Sequence, residues 1–177
     1  MQIKKEREKY FKEIYEANAD KIFRYVSSRV SGREEVLDLV QEIFYKFWQA
    51  VSQGKVISFP KTFLFKIAHN KVIDWYRKNK PESLDRMMEG DEGESQSFQV
   101  EDTKAEMEMR ISNEANWVLG IIHKLPPQYS EAVKMRFVDD LSPQEMAEIL
   151  NISPNAVSLR LNHALEKLRE ILKIKNE

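Results

Sequence analysis

Apolar residues recur at helical spacing along most of the chain. In residues 33–51 they fall on one broad stripe, and acidic and amide side chains occupy much of the opposite side. A second periodic stretch covers residues 8–29, where the polar step Asn18-Ala19-Asp20 is expected either to interrupt the helix or to mark a second start. Pro60 suits the first turn of a third helix, which is predicted to end near residue 78.

The helical pattern stops at residue 80 and resumes near Lys104. Residues 80–103 are rich in Glu, Asp, Ser and Gly and show no clear periodicity. A segment of this composition cannot bury enough apolar surface to fold by itself. The sequence therefore predicts an acidic linker between two helical regions, and no stretch indicates a β-strand.

Start and stop signals divide the C-terminal region into short helices. A helix over about residues 127–137 is predicted, with Phe137 facing inward. Ser142 is followed by Pro143 and by Glu145, which together supply an N-cap, a proline at the first helical position and the partner of a capping box. Asn151 tolerates the left-handed backbone of a tight turn between helices.

Two helices joined by a short turn, the second of them longer and basic towards its end, make a helix-turn-helix pattern. In DNA-binding proteins such a pattern places its second helix in the major groove. Many helical proteins contain the same corner without contacting DNA. The pattern by itself leaves both interpretations open.

The distribution of charge divides the chain, although the net charge is only −1. Residues 1–80 carry 17 basic and 10 acidic side chains, residues 81–116 carry 3 and 11, and residues 117–177 carry 8 of each. The basic excess is concentrated in residues 55–80. A surface that binds a polyanion and an ordinary solvated helix face both agree with this distribution.

Composition excludes several classes of protein. The chain has no Cys, hence no disulfide, thiolate nucleophile or zinc finger, and its three His residues are scattered. No apolar stretch approaches the roughly 20 residues that span a bilayer, and the charged N-terminus is not a secretory signal. No nucleophile elbow or phosphate-binding glycine loop is present. We therefore expect a cytoplasmic, mainly helical protein that is not an enzyme and has no cofactor or metal site.

Three blocks of sequence together resemble bacterial RNA polymerase sigma factors of the extracytoplasmic-function (ECF) type. The first, D-L-V-Q-E-I-F at residues 38–44 with Phe47 and Trp48, resembles the core-binding signature D-L-V-Q-E-x-F-x-x-x-W. The second, F-L-F-K-I-A-H-N at residues 63–70 with Asp74 and Arg77, resembles W-L-x-x-I-A-R-N-x-x-x-D-x-x-R. The third covers residues 125–168 and is similar to the helix-turn-helix block of the family.

The resemblance implies an all-α fold with two small helical domains. Residues 1–80 would form a σ2-like bundle that binds core polymerase and melts the −10 element, residues 81–110 the acidic linker, and residues 111–177 a σ4-like domain that reads the −35 element. The family is not enzymatic by itself and lends promoter specificity to the polymerase. The implied partners are core polymerase (the coiled coil of its largest subunit and its flap), promoter DNA and an anti-sigma factor. Such a factor would hold the protein at the membrane without inserting it.

The implied core-binding residues share one helix. Asp38, Gln41 and Glu42 are three and four positions apart, so one face presents two carboxylates and an amide. By resemblance this face meets the basic coiled coil of the polymerase, and an ordinary solvated face is the alternative. Phe44, Phe47 and Trp48 belong to the same signature and are expected to pack in the core rather than to touch DNA.

The resemblance also implies a surface for the melted −10 strand. Reading such a strand requires a flipped base, held by stacking and by hydrogen bonds to its exposed edge. Asn70 matches the base-reading Asn of the family, with a helix-surface amide as the alternative, and Phe59 either stacks on the base or fills the core. Asp74 is expected to order neighbouring basic residues. The basic side chains expected to contact phosphates are Lys61, Lys66, Lys71, Arg77 and Lys78.

The last helix would carry the −35 contacts. Arg160 can donate two hydrogen bonds to a guanine edge or bind a phosphate, and Asn155 can read an adenine. Four departures make this chain differ from the family pattern: His69 replaces a common Arg, Phe63 a common Trp, Ser158 a frequent Lys, and Tyr129 with Ser130 falls where an Arg is common. They leave the promoter sequence open. The full set of implied −35 residues is Ser153, Asn155, Ala156, Ser158, Arg160, His163 and Lys167.

A different class of protein remains as the alternative. A stand-alone transcriptional regulator would combine one helix-turn-helix with an N-terminal sensor or dimerisation domain. Such a regulator usually dimerises on a palindromic site, whereas a sigma factor acts as one copy on an asymmetric promoter. The signature at residues 38–48 and the basic helix at residues 60–80 favour the sigma factor.

Overall fold

Seven α-helices and one π-helix make up the part of the chain that the structure describes, residues 2–79 and 113–174 of a computed structural model. No β-strand occurs in these residues, which confirms the all-α prediction. The chain divides into two units, Met1–Asn79 and Lys80–Glu177. The predicted linker, residues 81–110, lies outside the described residues.

The first helix, α1, runs without a break from Gln2 to Ser27. The expected interruption at Asn18 is wrong. The Asn18 side chain is buried, and its amide nitrogen donates a hydrogen bond to the Ile14 carbonyl at 2.8 Å. Because the buried Asn18 amide is hydrogen-bonded to a carbonyl one turn earlier on the same helix, it does not compete for the backbone bonds that continue the helix.

The ends of the next two helices are where the sequence predicts them. Helix α2 spans Arg33–Ser52 and α3 spans Pro60–Asn79. Gly54 follows α2 with a φ of 79°, its N–H bonds to the Val51 carbonyl, and the Lys55 N–H bonds to the Ala50 carbonyl. This pair of bonds is the Schellman termination, which requires a left-handed residue and therefore favours glycine.

The core of the first unit forms where α1, α2 and α3 pack against one another. Aromatic side chains dominate it. Tyr25 meets Phe65 edge to face with ring centroids 5.3 Å apart, and Phe47 stacks on Phe11 at 6.0 Å. Phe44 and Phe47 are both buried, as predicted for the 38–48 signature, whereas its third apolar residue, Trp48, is only half-buried.

The second unit is arranged around its last helix. Its elements are α4 (Asn113–Ile122), α5 (Pro127–Val133), a π-helix (Lys134–Val138), α6 (Pro143–Leu150) and α7 (Pro154–Ile174). Helix α7 packs against α4, α5 and α6. Ile122, Leu125, Val133 and Ala164 form a buried cluster on its inner side.

The start of α6 and the turn between α6 and α7 have the hydrogen bonds and backbone conformation that the sequence predicts. The Ser142 hydroxyl accepts from the Glu145 N–H, and the Glu145 carboxylate accepts from the Ser142 N–H, which completes the capping box. Asn151 ends α6 with φ 54° and ψ 44°, in the left-handed region. The Ser153 hydroxyl then accepts from the Ala156 N–H at 3.1 Å and caps α7. The capping box, the left-handed Asn151 and the Ser153 cap together fix the helix-turn-helix.

The prediction that Phe137 faces inward is wrong. The chain passes from α5 into the π-helix, in which N–H groups bond five residues back, as the Asp139 N–H does to the Lys134 carbonyl. Because a π-helical turn holds more residues than an α-helical turn, the following side chains point in different directions. Met135 is fully buried, whereas Phe137 is 62% exposed.

Candidate functional site

An open groove between α1 and α2 collects the side chains of the core-binding signature. Asp38, Gln41 and Glu42 lie on its α2 side, and Phe44 and Trp48 also line it. All five residues that the sequence assigned to core binding therefore border the same groove.

Helix α1 supplies the other wall of the groove. Glu8 adds a third carboxylate, and the Phe11 ring meets Trp48 edge to face at 5.3 Å. Tyr45 also lines the groove and is exposed. The sequence did not predict Glu8, Phe11 or Tyr45 at this site. For Glu8 and Phe11, only the packing of α1 on α2 shows which residues of α1 face the groove. The result is an apolar surface bordered by carboxylates.

An ion pair joins this groove to α3. The Lys71 ammonium donates to the Glu42 carboxylate, and the Lys71 side chain is 18% exposed while that of Glu42 is 55% exposed. The sequence assigned Glu42 to core polymerase and Lys71 to DNA. The structure brings the two residues together.

Helix α3 does not present its basic residues on one face. Counted at about 3.6 residues per turn, Lys66, Asn70, Asp74 and Arg77 share a side of the helix, and Lys61 lies on the far side. Asn70 and Lys78 are exposed. The Arg77 guanidinium donates to the Asp74 carboxylate at 3.1 Å, which confirms that Asp74 orders a neighbouring basic side chain.

The short connection between α2 and α3 exposes two apolar side chains. Val56 is 89% exposed and Phe59 is 70% exposed. Phe59 therefore does not fill the core, which removes one of the two roles that the sequence left open. Its carbonyl accepts from the Phe63 N–H at the start of α3, so the Phe59 backbone is fixed while its ring faces solvent.

Helix α7 turns one side of its surface to solvent. Asn155, His163 and Lys167 are exposed and lie on this side, since their positions differ by multiples of four. Arg160 and Ala156 are half-buried beside them. Ser158 lies towards the edge, and its hydroxyl donates to the Pro154 carbonyl at 3.1 Å.

His163 packs on the neighbouring helix α5. Its ring meets Tyr129 edge to face with centroids 6.1 Å apart. In residues 2–79 and 113–174 no three His, Cys, Asp or Glu side chains are grouped so that they could hold a metal ion. Of the helices in those ranges, none is both long enough and apolar enough to cross a membrane.

Family models match both units. The model of Sigma-70 region 2 matches residues 14–82, and that of Sigma-70, region 4, matches residues 115–168. The first match covers the α2 side of the groove, the connection and α3, and the second covers α5, α6 and most of α7.

Relatives match along nearly the whole chain. The ECF RNA polymerase sigma factor SigW of Bacillus subtilis is 30% identical over 180 residues, which cover 97% of this chain and 94% of SigW. The RNA polymerase sigma factor SigV of the same bacterium is 30% identical over 147 residues, with 83% and 81% covered. The sigma factor RpoE of Bartonella quintana, solved with the anti-sigma factor NepR, superposes with a TM-score of 0.65 at 21% identity. The superposition covers 94% of this chain and 98% of RpoE.

These matches decide between the two classes that the sequence left open. The chain belongs to the sigma-70 family, within its ECF RNA polymerase sigma factors. It is a factor that directs transcription initiation at promoters, and not a stand-alone regulator.

Proposed function

We propose that the groove between α1 and α2 is the surface through which this sigma factor binds core RNA polymerase. The observation that carries the proposal is the convergence of the five signature residues with Glu8 around one apolar, acid-bordered groove. A basic amphipathic helix fits such a groove, since its apolar side covers the floor and its cations meet the carboxylates. By family resemblance that helix belongs to the coiled coil of the largest polymerase subunit.

The test of this surface is the affinity of the full chain for core polymerase. The double variant Asp38→Arg/Glu42→Arg reverses two charges at the groove and is expected to weaken binding at least about tenfold, which is roughly 1.4 kcal/mol. Because Glu42 also pairs with Lys71, the single variant Asp38→Arg tests the groove without disturbing that pair. The control Glu13→Arg/Glu16→Arg makes the same change of charge at exposed positions of α1. Equal losses in the groove and control variants would contradict the assignment.

The connection before α3 and the outer face of α3 are proposed to hold the melted −10 strand. The exposed Phe59 ring offers a stacking surface, and the exposed Asn70 amide can both donate to and accept from a base edge. Lys66 and Arg77 share the side of α3 that carries Asn70 and can neutralise phosphates of the same strand, and Lys78 is exposed next to Arg77. Lys61, on the far side of α3, and Lys71, which pairs with Glu42, add to the positive charge of the helix without facing that strand.

Run-off transcription by the holoenzyme tests the −10 assignment on two templates, a duplex promoter and the same promoter with a pre-melted −10 element. Phe59→Ala and Asn70→Ala are each expected to lower run-off from the duplex about fivefold or more, since stacking on one base contributes roughly 1–3 kcal/mol. The loss should be smaller on the pre-melted template. Unchanged duplex transcription in both variants would reject the assignment.

Helix α7 is proposed to read the −35 element. Arg160→Ala is expected to cost about 1–3 kcal/mol and to relax the preference at one base pair. Lys167→Ala should weaken binding to all sequences and reduce the slope of log affinity against log salt by about 1. Equal affinity for every −35 variant in the wild-type holoenzyme would remove this role from α7. The remaining members of the proposed surface are Ser153, Asn155, Ala156, Ser158 and His163.

We further propose that an anti-sigma protein covers the groove until the sigma factor is needed. Bartonella quintana RpoE was crystallised with its anti-sigma factor, and this proposal extends such a partnership to the present chain. The chain would act in the bacterial cytoplasm, linked to the membrane only through a membrane-bound anti-sigma factor. It would supply promoter choice while the polymerase supplies the catalysis.

A further inference from the structure

The N-terminal part of α1 holds the connection between α2 and α3. Arg7 donates from Nη1 to the carbonyl of Ser52, the last residue of α2, at 2.6 Å. The Tyr10 hydroxyl lies 3.5 Å from the Ile57 carbonyl, in the middle of the connection. Two side chains of α1 therefore contact backbone carbonyls 45 and 47 residues further along the chain, one at the end of α2 and one in the middle of the connection.

Arg7 suits its position both electrostatically and sterically. The last carbonyls of an α-helix lack partners within the helix and carry its partial negative charge, so a guanidinium bound there is favourable. Gly54 is matched to this cation, since a Cβ placed on Gly54 would lie 2.6 Å from the Arg7 Nη2 atom. The absence of a Cβ at Gly54 thus leaves room for the Arg7 guanidinium beside the end of α2.

The segment held in this way carries the exposed Val56 and Phe59. The Lys55 ammonium lies 4.7 Å from the centroid of the Phe63 ring, so a cation–π contact ties the start of the connection to α3. With its backbone held at Ser52, Ile57 and Phe59, the connection presents the Phe59 ring from a defined position. A stacking residue that is already oriented loses less entropy when it binds a base.

We propose that Arg7 and Tyr10 are positioning residues for promoter melting. They hold residues 53–59 so that the Phe59 ring meets the flipped −10 base, although neither residue touches DNA itself. This inference rests on the proposed role of Phe59 and adds to it a part of the chain, the start of α1, that lies outside the sigma-70 region 2 match at residues 14–82.

The experiment measures run-off by the full-length holoenzyme on promoters that carry each single-base change in the −10 element. Phe59→Ala first identifies the position at which base preference is lost. Arg7→Met, which keeps the apolar stem but removes the charge, is expected to reduce preference at that same position about fivefold. Arg7→Lys should restore most of the preference, and Tyr10→Phe should show a smaller loss at the same position. The control Lys9→Ala removes an exposed cation two residues along α1 from Arg7, on a different side of the helix, and should match the wild type.

Core affinity separates positioning from a general structural role. We expect Arg7→Met to bind core polymerase as tightly as the wild type. A uniform loss of transcription across all −10 variants, or a matching loss of core affinity, would overturn the inference, and so would a base preference unchanged in Arg7→Met. If Phe59→Ala alters no base preference, the proposed function of the connection fails and the inference fails with it. If Phe59→Ala alters the base preference and the Arg7 variants do not, the inference fails while the proposed function of the connection stands.

Discussion

Lys71 belongs to α3, but its ammonium is neutralised by Glu42 at the edge of the α1–α2 groove. A cation paired with a carboxylate of its own chain is less attractive to a DNA phosphate than a free cation. A polymerase helix that engages Glu42 would therefore increase the positive charge that Lys71 offers to DNA. This single contact links the two surfaces that the proposed function keeps separate.

The Glu42–Lys71 pair is expected to contribute to the stability of the first unit. Glu42→Gln removes the charge opposite a mostly buried ammonium and should lower the free energy of unfolding by about 1 kcal/mol, a value reduced because Glu42 itself is half exposed. The matched control is Glu13→Gln, which breaks an exposed pair with Lys9 and should stay within about 0.5 kcal/mol of the wild type. Urea unfolding followed by circular dichroism measures both. Equal effects would show that the pair contributes no more than a surface contact.

His123 should make stability depend on pH. Burial, with a smaller contribution from Lys134, lowers the pKa of His123 from 6.5 to about 4. The folded protein then keeps a neutral His123 at a pH where the unfolded chain binds a proton. Stability from this residue is thus present above pH 6.5 and is lost as the pH falls towards 4.

Thermal unfolding at pH 7 and pH 5 checks this pH dependence. The drop in Tm between the two values should be smaller in His123→Gln than in the wild type. His163→Gln, an exposed histidine on α7, serves as the control. An equal drop in the wild type and in His123→Gln would show that His123 does not contribute.

At the scale of the elements, the turn between α6 and α7 determines the geometry of the helix-turn-helix. Asn151 adopts the left-handed conformation there. Asn151→Ala is expected to cost about 1 kcal/mol, and Asn151→Gly should be close to neutral or slightly stabilising. The free energy of unfolding and the affinity for the −35 element should both be lower in Asn151→Ala than in Asn151→Gly. If Ala and Gly are tolerated equally, the turn is not strained at this residue.

Signals that act within a few residues were predictable from the sequence. The capping box of Ser142, the left-handed Asn151 and the start of α3 at Pro60 each depend on contacts within one turn of chain. The acidic face at Asp38 and Glu42 was also found, because helical spacing alone brings these residues together.

Features that depend on packing between elements were not predictable. Asn18 looked like a helix break because its polarity does not show that its side chain is buried by the packing of the unit. Phe137 turned outward because the π-helix shifts the register. The α1 side of the groove and the hold of Arg7 on Ser52 require knowledge of which face of α1 meets α2.

At the scale of the whole molecule, charge balance predicts that the free protein binds DNA weakly. The net charge is −1, because the basic excess of residues 1–80 is offset by residues 81–116. Fluorescence anisotropy with a promoter that the holoenzyme transcribes should show tight, salt-dependent binding by the holoenzyme and only weak binding by the free chain. Tight, sequence-specific binding by the free chain to duplex DNA would contradict this account.

The most direct test of the account is run-off transcription by purified bacterial core polymerase on a pool of genomic fragments, with and without this protein. We predict discrete transcripts that require the wild-type chain, disappear with Asp38→Arg/Glu42→Arg and persist with Glu13→Arg/Glu16→Arg. The contrary result is a set of transcripts that is the same with and without the protein, or that survives the reversal of charge at the groove.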